Sequence, residues 1–200
     1  MSVETHLGVG AIGELAGILE AQGAKTVLVV EGPRSYSMSG AADMVDPVLA
    51  SYETVRFSTL ADYPDLPDIE RGVELCRRAK PDVVIAVGGG TVIDIAKLLR
   101  ICSVNDATPG EIATGAGEIE QAGPPLVAIP TTAGSGSEAT HFAVVYSGGK
   151  KYSLAHEEMR PEIAIIDPLL TYSMPPALTA HSGLDALCQA IESIWSINST

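Results

Sequence analysis

An α/β fold, with a mostly parallel sheet covered by helices on both faces, is what this sequence predicts, and three observations carry it. Short apolar runs such as "TVLVV" (26–30) and "DVVIAV" (82–87) alternate with stretches of helical periodicity as far as Asp167, so successive strands require crossover connections. Aliphatic side chains supply the burial, since 46% of the 200 residues are hydrophobic and only 4% aromatic, as in strands buried on both faces. Glycine-rich turns follow two of those runs, where sheets of this kind bind ligands.

Taken in order, "GAIGELAGILEAQGA" (10–24) has apolar residues at helical spacing and ends at Gly23, and "KTVLVVEG" (25–32) is a buried strand stopped by Gly32 and Pro33. "AADMVDPVLASY" (41–52) is expected to be a helix interrupted at Pro47. "ETVRFSTL" (53–60) is a strand, "DIERGVELCRRAK" (68–80) an amphipathic helix, and "PDVVIAV" (81–87) a strand that breaks into Gly88, Gly89 and Gly90. "TVIDIAKLLRICS" (91–103) has helical periodicity and "PPLVAIPTT" (124–132) is another strand and turn. "HFAVVYSGGKKYSLA" (141–155) reads as a hairpin about Ser147-Gly148-Gly149, and "EIAIIDP" (162–168) as one more strand. From Pro161 onward Lys and Arg vanish and the pattern becomes helical, which places a boundary near Pro175-Pro176 and divides the chain into 1–175 and 176–200.

A chain of 200 residues is long enough for one good core. No apolar run approaches the ~20 residues of a membrane-spanning helix, and no charged-then-apolar leader precedes His6, so a soluble, cytoplasmic protein is expected. The formal charge of −13 disfavours nucleic acid and anionic membrane as partners. Cys76, Cys102 and Cys188 form no CxxC pair, which suggests neither a disulfide framework nor a zinc cluster and fits a reducing compartment.

The triplet in "VIAVGGGTVIDIAK" sits between strand and helix, where glycines let a ligand approach the backbone and the helix start offers N–H groups to an anion. A pyrophosphate fits there, although a tight βα turn without a ligand would be written similarly. In "IPTTAGSGSEAT", Thr131, Thr132 and Ser135 are interleaved with Gly134 and Gly136. Their hydroxyls can donate to phosphate or amide oxygens, while Ser135 and Glu138 alternatively make a capping box. Both turns would open on one edge of the sheet.

On the helix beginning at "HSGLDALCQAIES", Asp185 and Gln189 share a face, extended by His181 and Glu192. Leu184, Leu187, Cys188, Ile191 and Trp195 cover another side, and small residues fill much of the rest. Such a helix is expected to be packed on several sides. Spacing alone leaves two readings of the pair: a polar stripe satisfied by backbone and water, or part of a metal site. His6, His141 and His156 have no ligand spacing.

"GVGAIGEL", "GGGTVIDIAK", "PTTAGSGSEAT" and "IIDPLLTYSMPPALTAHSGLDALCQAIES", in this order, resemble the iron-containing, group III alcohol dehydrogenase family. The resemblance implies a Rossmann-like dinucleotide-binding domain (1–175) and the first helix (176–200) of an all-helical metal-binding domain otherwise absent. It assigns Gly88, Gly89 and Gly90 to the pyrophosphate, Asp94 to the nicotinamide end, and Thr131, Thr132, Ser135 and Lys151 to cofactor contacts. After the first buried strand, NAD-using members commonly carry an Asp. Gly32 stands there, followed by Arg34, so NADP(H) is favoured over NAD(H), with Glu31 the reason for caution. The family's metal ligands begin with an Asp and a His four residues later, matched by Asp185 and by Gln189 in place of the imidazole. Fe(II) is the favoured metal; the amide oxygen makes the site harder and weakens affinity for soft metals, which leaves Mn(II) and Mg(II) as candidates alongside Zn(II).

The activity so implied is metal-dependent hydride transfer between NAD(P)H and an aldehyde or primary alcohol, in a chain expected to form a homodimer. "RSYSMSGAAD" (34–43), with the Asp/Gln pair, is similar to the subgroup that reduces phosphonoacetaldehyde to 2-hydroxyethylphosphonate. Simple aliphatic aldehydes are the alternative substrates. A lyase like dehydroquinate synthase shares the cofactor domain but differs around "GLDALCQAIE", and a non-catalytic dinucleotide-binding module is the remaining alternative.

Overall fold

The computed structural model describes residues 2–58 and 63–197. Its main body is a six-stranded, wholly parallel sheet built from β1 (Glu4–Leu7), β2 (Thr26–Glu31), β3 (Glu53–Ser58), β4 (Val83–Gly88), β5 (Leu126–Pro130) and β8 (Ile163–Ile166), in the order β1-β8-β5-β4-β2-β3. β6 (Phe142–Ser147) and β7 (Lys150–Ala155) form a separate antiparallel hairpin. Its two-residue turn, Gly148-Gly149, has φ of +57° and +76°, as a tight hairpin of this twist requires.

The period of two along the strands sorts two cores. Leu28, Val30, Val84, Ala86, Leu126 and Ala128 meet α4 (Leu66–Ala79), α5 (Gly90–Val104), α6 (Pro109–Thr114) and the hairpin. Val27, Val29, Val83, Ile85, Val87, Val127 and Ile129 meet α1 (Leu15–Ala21), α2 (Ser35–Met38) and α3 (Ala41–Leu49). Helices therefore cover both faces, as the periodicity predicts. At ~1.5–3 kcal/mol for each fully buried Leu or Ile, α5 is firmly seated by Ile93, Ile95, Leu98, Leu99 and Ile101. Its Arg100, also buried, reaches the Pro124 carbonyl at 3.1 Å and pairs with Glu162.

Three local expectations need correction. α3 runs through Pro47 without a break: the missing N–H costs one bond close to the helix end, while Ala41, Val45 and Leu49 keep its buried stripe. Ser135 and Glu138 form no capping box, because Gly136, at φ +65°, turns the chain into a single 3-10 turn at Ser137–Ala139 that no side chain caps. A capping box does form between Thr108 and Glu111, at the start of α6. The last helix, α7 (Pro176–Trp195), begins five residues before His181, and none of its residues is buried, contrary to the multi-sided packing that its composition suggests. Leu184, Leu187, Ile191 and Trp195 are all exposed.

β1 escaped the pattern because "ETHL" is polar and mostly exposed. α2 and α6 are too short for periodicity to register. The strand expected to reach Leu60 is described to Ser58, and residues 59–62 and 198–200 lie outside the described residues. Among the described residues, no helix is long and apolar enough to cross a membrane.

Candidate active site

The order of strands locates the site. From β2 the chain moves outward to β3, returns across β2 to β4, and then continues outward through β5 to β8. Helical crossovers thus diverge from the gap between β2 and β4, leaving a crevice at the carboxyl ends of those two strands. Glu31 is level with Val87, and Gly88 with Pro130, so the loops after β2, β4 and β5 open side by side. The expected cofactor residues Gly32 and Arg34, Gly88 to Gly90, and Thr131, Thr132 and Ser135 belong to those three loops.

The triplet fits closely against the neighbouring turn. A Cβ on Gly89 would lie 3.2 Å from Thr132 Oγ1, and one on Gly90 would lie 3.0 Å from Ser135 Oγ. Thr131 N donates to the Gly88 carbonyl at 3.0 Å. α5 starts at Gly90, and no side chain caps it, so the amides of its first turn are offered to an anion. Thr131 is buried and its Oγ1 has no hydrogen-bond partner. An orphaned buried hydroxyl beside an uncapped, glycine-lined helix start suits the oxygens of a dinucleotide.

Asp94 is less available than its family role implies. Ser137 Oγ donates to Asp94 Oδ1, and Val144 N donates to Oδ2 at 3.0 Å. Burial raises the pKa of this carboxyl, opposed by Ser137 and by the charges of Lys97 and Lys151. Lys151, exposed on β7, is therefore close enough for its charge to act on Asp94. Lys97, one turn along α5, has no exposed surface. Its Nζ donates to the Phe142 carbonyl at 2.7 Å, Ser137 Oγ at 3.1 Å and Thr140 Oγ1 at 3.4 Å, and lies 3.8 Å from Asp94. Desolvation lowers the Lys97 pKa to about 8, although Asp94 and Glu138 pull it upward. This network ties α5, the β5–β6 loop and the hairpin together. Lys97 escaped the sequence reading, though a lysine three residues after Asp94 in a largely apolar helix was the available signal.

At the far side of the crevice, Glu31 accepts from Arg56 NH1 at 2.7 Å, and Arg56 NH2 donates to Asp46 Oδ1. Tyr36 OH donates to the same Asp46 oxygen, and the Arg56 guanidinium lies 5.2 Å from the Tyr36 ring centroid. Burial, reinforced by Asp46, pushes the Tyr36 hydroxyl up to about 12. Arg34 is exposed. With Ser35, Met38, Thr131, Thr132, Met174 and Leu178 it lines a cleft of about 340 Å³ between α2 and the start of α7.

Asp185 and Gln189 lie one turn apart on α7, with Gln189 Nε2 donating to Asp185 Oδ2 at 3.4 Å. The pair presents oxygen donors from one helix face, which suits two positions in the shell of a hard divalent ion. Among the described residues, no cluster of three or more His, Cys, Asp or Glu could hold a metal. His181 is exposed on the same helix.

The sequence pattern of the family described as iron-containing alcohol dehydrogenase matches residues 2–168. Long-chain-alcohol dehydrogenase 1 of Geobacillus thermodenitrificans is 36% identical over 200 residues, covering 98% of this chain and 50% of that protein. Among solved structures, the sulfoacetaldehyde reductase of Bifidobacterium kashiwanohense in complex with NAD+ superposes with a TM-score of 0.89. It is 33% identical and is matched over 98% of this chain and 52% of that one. The NADH-dependent butanol dehydrogenase A of Thermotoga maritima gives a TM-score of 0.91 at 25% identity, over 97% and 50% of the respective chains. The chain spans about half the length of each of these three relatives.

Proposed function

The chain belongs to the iron-containing alcohol dehydrogenase family, and on that premise we propose that it carries the dinucleotide site and the first two metal-ligand positions of an NAD(P)-dependent aldehyde reductase. The observation behind this reading is the convergence of three loops at the β2/β4 crevice, beside a helix that offers the Asp185 and Gln189 oxygens. When bound, the reduced nicotinamide supplies the hydride and a divalent metal, Fe(II) favoured, supplies Lewis-acid polarisation of the carbonyl oxygen. Gly88, Gly89 and Gly90 with the α5 amides hold the pyrophosphate. Thr131, Thr132 and Ser135 donate to cofactor oxygens, and Lys151 lends positive charge near Asp94. Asp185 is the anionic ligand and Gln189 a neutral one.

Gly32 and the exposed Arg34 favour NADP(H): no carboxylate stands at position 32 to repel a 2′-phosphate, and a guanidinium is at hand to pair with it. For the substrate, a two-carbon aldehyde with an anionic head is the reading we adopt, with phosphonoacetaldehyde as its representative. The likeness to a sulfoacetaldehyde reductase supports it, since sulfonate and phosphonate present similar tetrahedral oxyanions. The likeness to a butanol dehydrogenase and to a long-chain-alcohol dehydrogenase favours the second reading, a simple aliphatic aldehyde.

Steady-state reduction of phosphonoacetaldehyde and of propanal, with NADPH and with NADH, tests the substrate reading. A higher kcat/KM for propanal would reject the phosphonate. Asp185→Ala should abolish metal-dependent turnover while calorimetry still detects the dinucleotide. Full turnover in that variant would remove Asp185 from the metal.

A further inference from the structure

The nicotinamide end of a dinucleotide lying on Gly88–Gly90 must point toward α7, where Asp185 and Gln189 are. α7 begins beside Arg34 with Leu178 and reaches Gly134, on the β5 side, at Ser182, ahead of Asp185 and Gln189, so the adenosine end runs back over the carboxyl ends of β2 and β3. Glu31, the last residue of β2, stands there, and a free carboxylate at the end of a strand is what holds ribose hydroxyls and repels a 2′-phosphate. Glu31 is not free. Its side chain is only 17% exposed and its Oε2 is 2.7 Å from Arg56 NH1 on the neighbouring strand. Arg56 is itself anchored by Asp46 on α3 and by the face of Tyr36 on α2. No acid replaces it at position 32, which is Gly32, with the Ser35 hydroxyl turned into the space that a Cβ would take.

We propose that Arg56 is a specificity-determining residue: by pairing with Glu31 it withholds that carboxylate from the adenosine ribose and leaves Arg34 as the charge that meets a 2′-phosphate. The inference rests on the dinucleotide site proposed above. Arg56 need not touch the cofactor; it acts through Glu31. Its anchorage between Asp46 and Tyr36 keeps the guanidinium on the α3 side of the sheet, so Glu31 is drawn away from the crevice rather than across it.

Calorimetric titration with NADPH and with NADH tests it on the unsubstituted protein and on Arg56→Gln, Glu31→Gln and the double variant. In Arg56→Gln the freed carboxylate faces the 2′-phosphate, and the NADPH-to-NADH affinity ratio should fall by at least about tenfold, the scale of a like-charge clash. The double variant, lacking that carboxylate, should return to within about threefold of the starting ratio. Glu31→Gln alone should leave NADH affinity within about threefold, because Arg56 keeps its Asp46 partner. An unchanged ratio in Arg56→Gln would overturn the proposal. So would a loss of NADH affinity of about tenfold or more in Glu31→Gln, which would make Glu31 the ribose acceptor. Binding of neither nucleotide to the unsubstituted protein would overturn the dinucleotide site itself, and the role of Arg56 with it.

Discussion

Gly134 lies directly against the carbonyl of Ser182, at a φ of +133° that side-chain-bearing residues rarely adopt, and a Cβ there would collide with the Ser182 backbone. One glycine thus sets the approach between the β5–β6 loop and the helix that carries Asp185 and Gln189. Gly134→Ala should cost about 1–3 kcal/mol in backbone strain, and its clash with the Ser182 carbonyl is relieved by moving α7 outward. None of the described residues buries a side chain of α7 against that movement. Turnover should therefore fall much more than dinucleotide affinity, measured by calorimetry, since Gly88–Gly90 stay in place. Equal losses of both would show that the substitution disrupts the cofactor loops instead.

The sheet was legible because its strands are aliphatic runs whose alternate residues serve two buried faces, as Val27/Val29 and Leu28/Val30 do. β1 was not, since an edge strand written "ETHL" buries almost nothing and is held by backbone pairing to β8. At the site, glycines and hydroxyls in the turns were readable because backbone approach requires them. The charges that organise it were not: Arg56 looks like a solvated strand residue until Glu31 and Asp46 are brought to it from positions 25 and 10 residues away. The packing expected around α7 is not supplied by the described residues. Composition reports that a helix is suited to burial, not which residues cover it.

Asp167 organises the opposite edge of the sheet. Buried at 1% exposure, it accepts from Gly10 N at 2.9 Å, Ile12 N at 3.3 Å and Leu169 N at 3.0 Å, joining the end of β8 to the turn after β1. Asp167→Ala leaves the buried Ile12 amide and the part-buried bonds of Gly10 and Leu169 without their acceptor, and urea unfolding should show a loss of about 1–3 kcal/mol. Asp167→Asn, which keeps one acceptor oxygen, should lose less. Equal losses would indicate that the hydrogen bonds to Gly10 and Ile12 contribute little beyond what Leu169 receives.

Lys97 predicts a pH dependence of defined sign. Its pKa is about 8 in the folded protein against an ordinary value of 10.5. Between those values the unfolded chain binds more protons than the folded one, so this group's contribution to stability rises with pH. The buried thiol of Cys102, pushed up to about 12 by desolvation, acts in the opposite sense above about pH 9. Lys97→Met carries the same cysteines, so the difference between the two melting profiles isolates the lysine. Relative to Lys97→Met, the unsubstituted protein should gain on the order of 1–3 kcal/mol between pH 7.5 and 10.5. A flat difference would mean that the ammonium stays protonated in its cage of Ser137, Thr140 and the Phe142 carbonyl.

Gln189 offers the most direct test of the metal reading. Its bond to Asp185, at 3.4 Å between exposed groups, is too long to contribute much to stability, so replacing the amide should leave the fold intact. Gln189→His exchanges a hard amide oxygen for an imidazole nitrogen at the same place on the helix. If Asp185 and residue 189 share an ion, affinity for Zn(II) should rise by about tenfold or more, whereas Mg(II), which prefers oxygen, should gain nothing. Competition against a chromophoric chelator reads this without turnover. The pair Asp185→Ala and Asp185→Ala/Gln189→His completes the test, because an imidazole acting alone cannot restore what the carboxylate supplied. Unchanged Zn(II) affinity in Gln189→His would place residue 189 outside the coordination shell, leaving the pair as a polar stripe on the helix. A parallel gain for Zn(II) and Mg(II) would instead point to a general electrostatic change, and would count equally against a coordinating role.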